Sequence, residues 1–375
     1  MNQDEVNPSQ PPSPEALNQQ ASIWMKRGLA LLEASTPVSL LEAIGCFDQA
    51  IQLRQQLPLA TTAKFRYGLA ACWMNRADAL TRLKTVKNLA EAVRNYDESL
   101  ALLHSLPLEE DPLYRRRLAI AWQNRGLTLH TQGAPAALVE AERAFAEAIT
   151  VLQHERAVDI LDWKPVLATV WMNRANTLIL QKTEAAAIAA RLAAKQALAL
   201  TIPIETKDLS AAKTGFRARY ILCQAVAQML ADKNFAEFAS DELVAEVTDT
   251  VDDGLTLVQE WERQGMAGFR RGAADLFRFG TRVYQTYQPH FLNEFLLENI
   301  DPERSSAAFV GSPEMHAAAI ESLWRAFRGI QQQGFKTLST PEFDDFLEQL
   351  RTLRVAEERL TGLRQQFLNK SVQKE

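Results

Sequence analysis

Four of the seven tryptophans stand 49 residues apart, and this spacing constrains the fold more than any other feature of the chain. They are Trp24, Trp73, Trp122 and Trp171. The same period carries an arginine column, a small-residue column and an aromatic column: Arg27, Arg76, Arg125 and Arg174; Gly28, Ala77, Gly126 and Ala175; Phe47, Tyr96, Phe145 and Ala194. A period of this length is typical of stacked repeats, in which each unit contacts only its neighbours.

Each unit is predicted to be a helical hairpin. Trp24, Gly28 and Leu31 are spaced by four and three residues, so they share one face of a first helix. Ala43, Phe47 and Ala50 share one face of a second helix in the same way. A glycine inside a helix costs about 1 kcal/mol relative to alanine, so Gly28 marks the point where the second helix approaches closely.

The pattern W-x-N-x-G/A-x-x-L followed by A-x-x-x-F/Y-x-x-A resembles the tetratricopeptide repeat (TPR) over four units, in residues 15–206. The resemblance implies an all-α, right-handed solenoid whose first helices line a concave groove. A family unit has about 34 residues, so each unit here is longer. The separation of Trp24 and Ala43 predicts a longer turn within the hairpin, with the remaining extra residues in the helices or their connections.

The rest of the chain is predicted to be helical but divergent. Residues 1–14 are expected to be a disordered tail, because they are polar and rich in proline. Residues 207–300 are interpreted as degenerate fifth and sixth hairpins, with Tyr220 on the next multiple of the period, an insertion near residues 233–240 and Gly280 at a small-residue position. Residues 301–375 are expected to begin with a loop and to supply capping helices, near residues 314–333 and 341–368.

The resemblance implies a peptide-binding site on the first helices. The position two residues after each tryptophan often faces the groove in TPR proteins, and here it holds Lys26, Asn75, Asn124 and Asn173. An asparagine amide can bond both the carbonyl and the N–H of an extended peptide. Less repetitive residues further along these helices, Asp78, His130 and Asn176, are expected to select the peptide sequence. The alternative is that the asparagines satisfy one another or nearby backbone.

The arginines are given a structural role. The repeated arginine column is expected to pair with acids of the second helices such as Asp48 and Asp97, although guanidinium groups also suit acidic ligands. The run Arg115 to Arg117, beside Tyr114, is expected to pair with Glu109 and its neighbours.

Composition excludes several classes of function. The net charge of -5 argues against a nucleic-acid partner. The five histidines are isolated, and no phosphate-binding, nucleophile-elbow or metal-binding motif is present, so no enzyme, cofactor or metal is predicted. Three scattered cysteines indicate a reducing, cytoplasmic environment, and no signal peptide or membrane span is predicted.

The sequence therefore predicts a cytoplasmic scaffold or adaptor that binds a segment of a partner protein. Two alternatives stay open. One is a self-assembling structural subunit, which would be a homo-oligomer, and the less favoured one is an RNA-binding helical repeat.

Overall fold

The computed structural model describes residues 12–154, 163–231, 240–265 and 270–287, with a few positions between 344 and 365. Helices form nearly all of these residues, and no strand occurs among them. The prediction of an all-α chain is confirmed for this part of the protein. The chain divides into two compact units after Thr201.

The first unit consists of four antiparallel helical hairpins. Each pairs a leading helix with a following helix, and each following helix contacts the next leading helix. The helices are α1 (Pro14–Ala34), α2 (Pro37–Gln55), α3 (Ala63–Leu83), α4 (Val86–His104), α5 (Pro112–Gln132), α6 (Pro135–Leu152), α7 (Lys164–Leu180) and α8 (Glu184–Thr201). The leading helices α1, α3 and α5 begin 49 residues apart, as do all four following helices.

The extra length of each unit lies in the helices and not in the turn of the hairpin. Helices α1, α3 and α5 have 21 residues each, and α2 and α4 have 19. Only two residues, Ser35 and Thr36, separate α1 from α2. The expectation of a longer turn is therefore wrong, because additional helical residues on both sides of the turn account for the wide spacing of Trp24 and Ala43.

A repeated backbone conformation makes these short turns. Each of the four turns contains a residue with positive φ, namely Ser35 (52°), Lys84 (56°), Gly133 (70°) and Lys182 (53°), again at intervals of 49. This left-handed conformation ends a helix by redirecting the chain. A threonine then caps three of the four following helices, where the side chains of Thr36, Thr85 and Thr183 accept a hydrogen bond from a backbone N–H.

The predicted close contact between helices is confirmed at the two glycines of the small-residue column. A Cβ atom added to Gly28 would lie 2.5 Å from Cε1 of Phe47, and one added to Gly126 would lie 2.8 Å from the same atom of Phe145. Both phenyl rings are fully buried. The tryptophan column is also equivalent in its surroundings, because each of the four indoles is half-buried against the core between helices.

The seven-residue connections that follow α2 and α4 are held by a second repeated contact. The Arg66 guanidinium donates to the carbonyl of Leu59 at 2.6 Å, and Arg115 donates to the equivalent carbonyl of Leu108 at 3.5 Å. Pro58 lies in the first of these connections, where it cannot continue the helix.

In the second unit the structure describes three helices that pack in sequence, together with a few helical positions between 344 and 365: α9 (Leu209–Ala231), α10 (Ser240–Arg263) and α11 (Arg270–Tyr287). Its core includes a buried ion pair, in which Arg219 donates two hydrogen bonds to Glu205 at 2.8 and 2.9 Å. Trp261 is fully buried and donates its indole N–H to the backbone carbonyl of Glu205. The predicted helix around Tyr220 is confirmed, and the buried Gly280 lies within α11.

Several predictions concern residues outside the described part of the chain. They are the tail up to residue 11, the insertion at 233–239, the loop at 301–313 and the helix at 314–333. Within the predicted last helix, the described positions from 344 to 365 are helical.

Candidate functional site

Successive leading helices contact one another at a constant sequence offset. Arg82 donates to the Ser35 hydroxyl at 2.9 Å, the hydroxyls of Thr81 and Thr128 lie 2.9 Å apart, and Nδ1 of His130 lies 2.9 Å from the Thr177 hydroxyl. In each of these three pairs the residues are 47 positions apart. The exposed sides of α1, α3, α5 and α7 therefore follow one another in register, and we call them the leading-helix surface.

The asparagines that are predicted to bind a peptide lie on this surface. Asn75, Asn124 and Asn173 each precede the small-residue column by two positions, which is about 200° around a helix and so nearly opposite the following helix. All three asparagines are half-buried, and Lys26 is exposed at the equivalent place in α1. Asn75 and Asn173 have no side-chain hydrogen bond to any residue that the structure describes.

Asn124 has a different environment, because its amide is used inside the chain. The side chains of Thr81, Asn124 and Thr128 interact with the Tyr96 hydroxyl. Tyr96 is almost completely buried, and this burial raises the pKa of its hydroxyl well above the usual value. Asn124 therefore has a polar neighbour within the chain, as the structural alternative would require, and its role in peptide binding stays a prediction.

His130 lies between α5 and α7, one repeat after Thr81, which is near Tyr96 between α3 and α5. Phenylalanine replaces tyrosine here, at Phe145, so that ring supplies no hydroxyl. The His130 imidazole lies between the two helices, with Nδ1 near the Thr177 hydroxyl and Nε2 3.4 Å from the amide nitrogen of Asn176. The structure therefore brings together two of the predicted specificity residues, His130 and Asn176.

Asp78 is also engaged within the chain. Its carboxylate accepts a hydrogen bond from Arg82 at 2.8 Å, one turn further along α3. Arg82 also donates to the backbone carbonyl of Leu32 at 3.0 Å, which ties α3 to the end of α1. Both side chains remain partly exposed, so this pair forms part of the leading-helix surface.

The structural role of the arginine column is confirmed for three of its members. Arg76 pairs with Asp48 at 2.6 Å, and Arg125 pairs with Asp97 at 2.7 Å. Ala146 of the third hairpin occupies the position of Asp48, and Arg174 of the fourth hairpin pairs instead with Glu142 at 2.5 Å. The predicted contact of Arg115 with Glu109 is present as well.

The sequence interpretation missed an aromatic and basic cluster between α3 and α5. The Arg117 guanidinium lies 5.3 Å from the centroid of the Tyr67 ring and donates from Nε and Nη2 to the Tyr67 hydroxyl, at 3.2 and 3.0 Å. The rings of Tyr67 and Tyr114 are 5.3 Å apart. The run of three arginines beside Tyr114 was the available signal, but nothing in the sequence connected it with Tyr67, which is 50 residues from Arg117.

Charge is segregated between the two sets of helices. The four leading helices contain twelve Lys and Arg residues and three Asp and Glu residues, whereas the four following helices contain six and nine. A net charge of -5 for the chain therefore conceals a basic set of leading helices. The inference from net charge alone does not describe the leading-helix surface.

The described residues include no group of three or more His, Cys, Asp or Glu side chains that could hold a metal ion. Cys46, Cys72 and Cys223 are free thiols, and all three are buried. Burial raises the pKa of the Cys72 thiol to about 11, although Arg54 opposes the rise. Among the described helices, none has the length and apolar character needed to cross a membrane.

In comparisons with known proteins, no protein-family model and no curated protein matches this chain.

Proposed function

We propose that the protein is a scaffold that binds a segment of a partner protein along the leading-helix surface. The observation that carries this proposal is the alignment of the leading helices at a constant offset of 47 residues. This alignment places groups of the same kind at regular intervals, which suits an extended chain with its regular backbone.

Asn75 and Asn173 are the residues proposed to hold the backbone of the segment. Each amide supplies two donors and an acceptor. Both side chains are half-buried and have no side-chain hydrogen bond within the described part of the chain. A peptide carbonyl and N–H would satisfy them, whereas Asn124 would contribute through the Tyr96 layer and not by direct bonding.

The finer aspects of the fold and setting belong to the same proposal. We infer a TPR-like, right-handed solenoid from the repeat pattern and the consecutive hairpins. A non-catalytic role is supported by the absence of catalytic motifs from the sequence, and a cytoplasmic location is supported by the three free thiols.

The proposal is tested with peptides selected from a random library on the wild-type protein. Their affinities are then measured by fluorescence anisotropy for wild type, for the double variant Asn75→Ala/Asn173→Ala, and for the control Gln49→Ala/Gln52→Ala, which removes two exposed amides from α2. The loss of the two amides should weaken binding by about thirtyfold, because the hydrogen bonds of each amide contribute about 1 kcal/mol and 1.4 kcal/mol corresponds to a factor of about ten.

Thermal melting should be unchanged in both variants. Equal affinity of the asparagine variant and wild type would remove the asparagines from the proposal. Failure to select any peptide that binds the folded protein would remove peptide recognition itself.

A second candidate function, self-assembly, is favoured by the exposed face of α1. Ile23 is 68% exposed, whereas Cys72 at the equivalent position of α3 is fully buried and accepts a hydrogen bond from Arg54 of α2. Among the residues that the structure describes, no hairpin before α1 covers this position. Sedimentation velocity over a range of concentrations tests the idea, since a dimer that dissociates on Ile23→Lys substitution would support it and a wild-type monomer at all concentrations would refute it.

A further inference from the structure

The cluster between α3 and α5 has the features of a binding site for anionic side chains, and this inference rests on the function proposed above. Tyr67, Tyr114 and Arg117 are all half-buried. Arg117 precedes Gly126 by nine residues, which is two and a half turns, so it lies on the side of α5 opposite α6. The cluster therefore belongs to the leading-helix surface.

The hydroxyl of Tyr67 has a proton to donate outward. A tyrosine hydroxyl has one donor and accepts hydrogen bonds through its oxygen. Both Nε and Nη2 of Arg117 donate to this oxygen, so its accepting capacity is already used. In the described part of the chain no acceptor receives the Tyr67 proton. Nη1 of Arg117 is a further donor, and the Tyr114 hydroxyl can donate as well as accept.

Two exposed cations flank the cluster. Lys64 lies one turn before Tyr67 on α3, and Arg116 directly precedes Arg117 on α5. Among the described residues no carboxylate lies within 4.0 Å of Lys64, Arg116 or Arg117. This contrasts with Arg76 and Arg125 on the same helices, which are paired with acids inside the chain.

We propose that Lys64, Tyr67, Tyr114, Arg116 and Arg117 form a site, the tyrosine–arginine site, that binds an acidic segment of the partner protein. Its carboxylates would accept from the Tyr67 hydroxyl and from the guanidinium groups of Arg116 and Arg117. The guanidinium of Arg117 is already oriented by its two bonds to Tyr67, so little side-chain freedom remains to be lost on binding.

A peptide suits this site better than a nucleic acid. The basic region is restricted, because the following helices carry an excess of acidic residues and the chain as a whole is acidic. A nucleic acid has a continuous row of phosphates and depends on an extended basic surface. An acidic peptide can place one or two carboxylates here while its backbone follows the asparagines on the same surface.

The test measures binding of a fluorescein-labelled oligoglutamate peptide to the full chain by anisotropy at low ionic strength. The variants are Arg116→Gln/Arg117→Gln, the exposed single change Arg116→Gln, and Tyr67→Phe, which removes only the hydroxyl. The matched control Lys87→Gln/Arg94→Gln removes the same charge from exposed positions of α4. Melting temperatures establish that each variant is folded.

We expect about tenfold weaker binding for the double arginine variant, since charge-assisted hydrogen bonds are lost, and a smaller loss for Arg116→Gln and for Tyr67→Phe. The control should bind as wild type does. Equal losses in the control and the arginine variant, or no loss in any variant, would overturn the site.

A single-stranded RNA oligonucleotide of equal charge serves as competitor. Tighter binding of the RNA would overturn the assignment to an acidic peptide. If oligoglutamate does not bind but library-selected peptides do, this inference fails while the proposed scaffold function stands. If no peptide of either kind binds, the scaffold function fails as well.

Discussion

Replacement of Gly28 by alanine tests the central packing claim, which is that the small-residue column exists to admit an aromatic ring. In the structure a Cβ atom at Gly28 would lie 2.5 Å from Cε1 and 2.9 Å from Cδ1 and Cζ of Phe47. Ordinary carbon contacts are about 3.5–4.0 Å. The ring would have to move by about 1 Å, and it is fully buried.

The expected magnitude is the difference between two effects. Extra atoms in a well-packed core destabilise a protein by about 1–3 kcal/mol. Alanine is favoured over glycine in a helix interior by about 0.5–1 kcal/mol, which offsets part of that cost. The net result should be a loss of about 1 kcal/mol in the free energy of unfolding.

Gly45→Ala is the matched control, because Gly45 is an exposed residue of α2 and an added Cβ atom meets nothing within 4 Å. It should stabilise the protein by about 0.5–1 kcal/mol. Urea unfolding followed by far-ultraviolet circular dichroism compares the midpoints of the two variants with wild type. If Gly28→Ala is as stabilising as Gly45→Ala, the packing argument is refuted. The substitution Phe47→Leu should lower the free energy of unfolding less in the Gly28→Ala variant than in wild type, and a double-mutant cycle measures this difference.

Three further predictions concern buried polar groups. Tyr96→Phe should lower the free energy of unfolding by about 1 kcal/mol, measured by urea unfolding, because the polar interactions of the buried hydroxyl with Thr81, Asn124 and Thr128 are lost. A change near zero would show that these interactions do not stabilise the fold. Glu205→Gln should lower the free energy of unfolding by about 3 kcal/mol, because it leaves Arg219 buried without its ionic partner. The control Glu140→Gln breaks an exposed pair with Arg143 and should lower the same quantity by less than about 1 kcal/mol. Because burial raises the pKa of the Cys72 thiol from 9.0 to about 11, the folded state retains a proton that the unfolded chain releases. The contribution of Cys72 to stability should thus be complete below pH 9.0 and fall as the pH rises toward 11, and Cys72→Ala should show a smaller alkaline loss than wild type in unfolding measured across that range.

The segregation of charge shows why net charge was a weak guide to the binding surface. Four leading helices with twelve basic and three acidic residues stand beside following helices with the opposite bias. Part of this difference is internal, because Arg76, Arg125 and Arg174 bond across to acids of the following helices. Lys64, Arg116 and Arg117 are not used in this way, and they supply the positive character of the tyrosine–arginine site.

The helical hairpins could be predicted because their signals are local. The spacing of Trp24, Gly28 and Leu31 depends only on the geometry of one helix, and its repetition identifies the unit. The close approach at Gly28 and the arginine pairs of Arg76 and Arg125 followed from the same columns. The prediction of a longer turn was wrong because the short turn depends on a residue in the left-handed conformation. That residue is serine, lysine or glycine in different units, so no conserved residue type in the repeat indicates it.

The sequence by itself determined the period of 49 residues, the pairing of helices into hairpins and the residues that face the core, since these depend on spacing along one chain segment. Tertiary structure alone decided those contacts between neighbouring hairpins that do not recur from unit to unit. It placed the Tyr96 hydroxyl against Asn124, and it placed Arg117 over Tyr67, 50 positions away. Such contacts depend on the lateral fit of two leading helices, which is set by the packing of whole hairpins and leaves no periodic mark in the sequence.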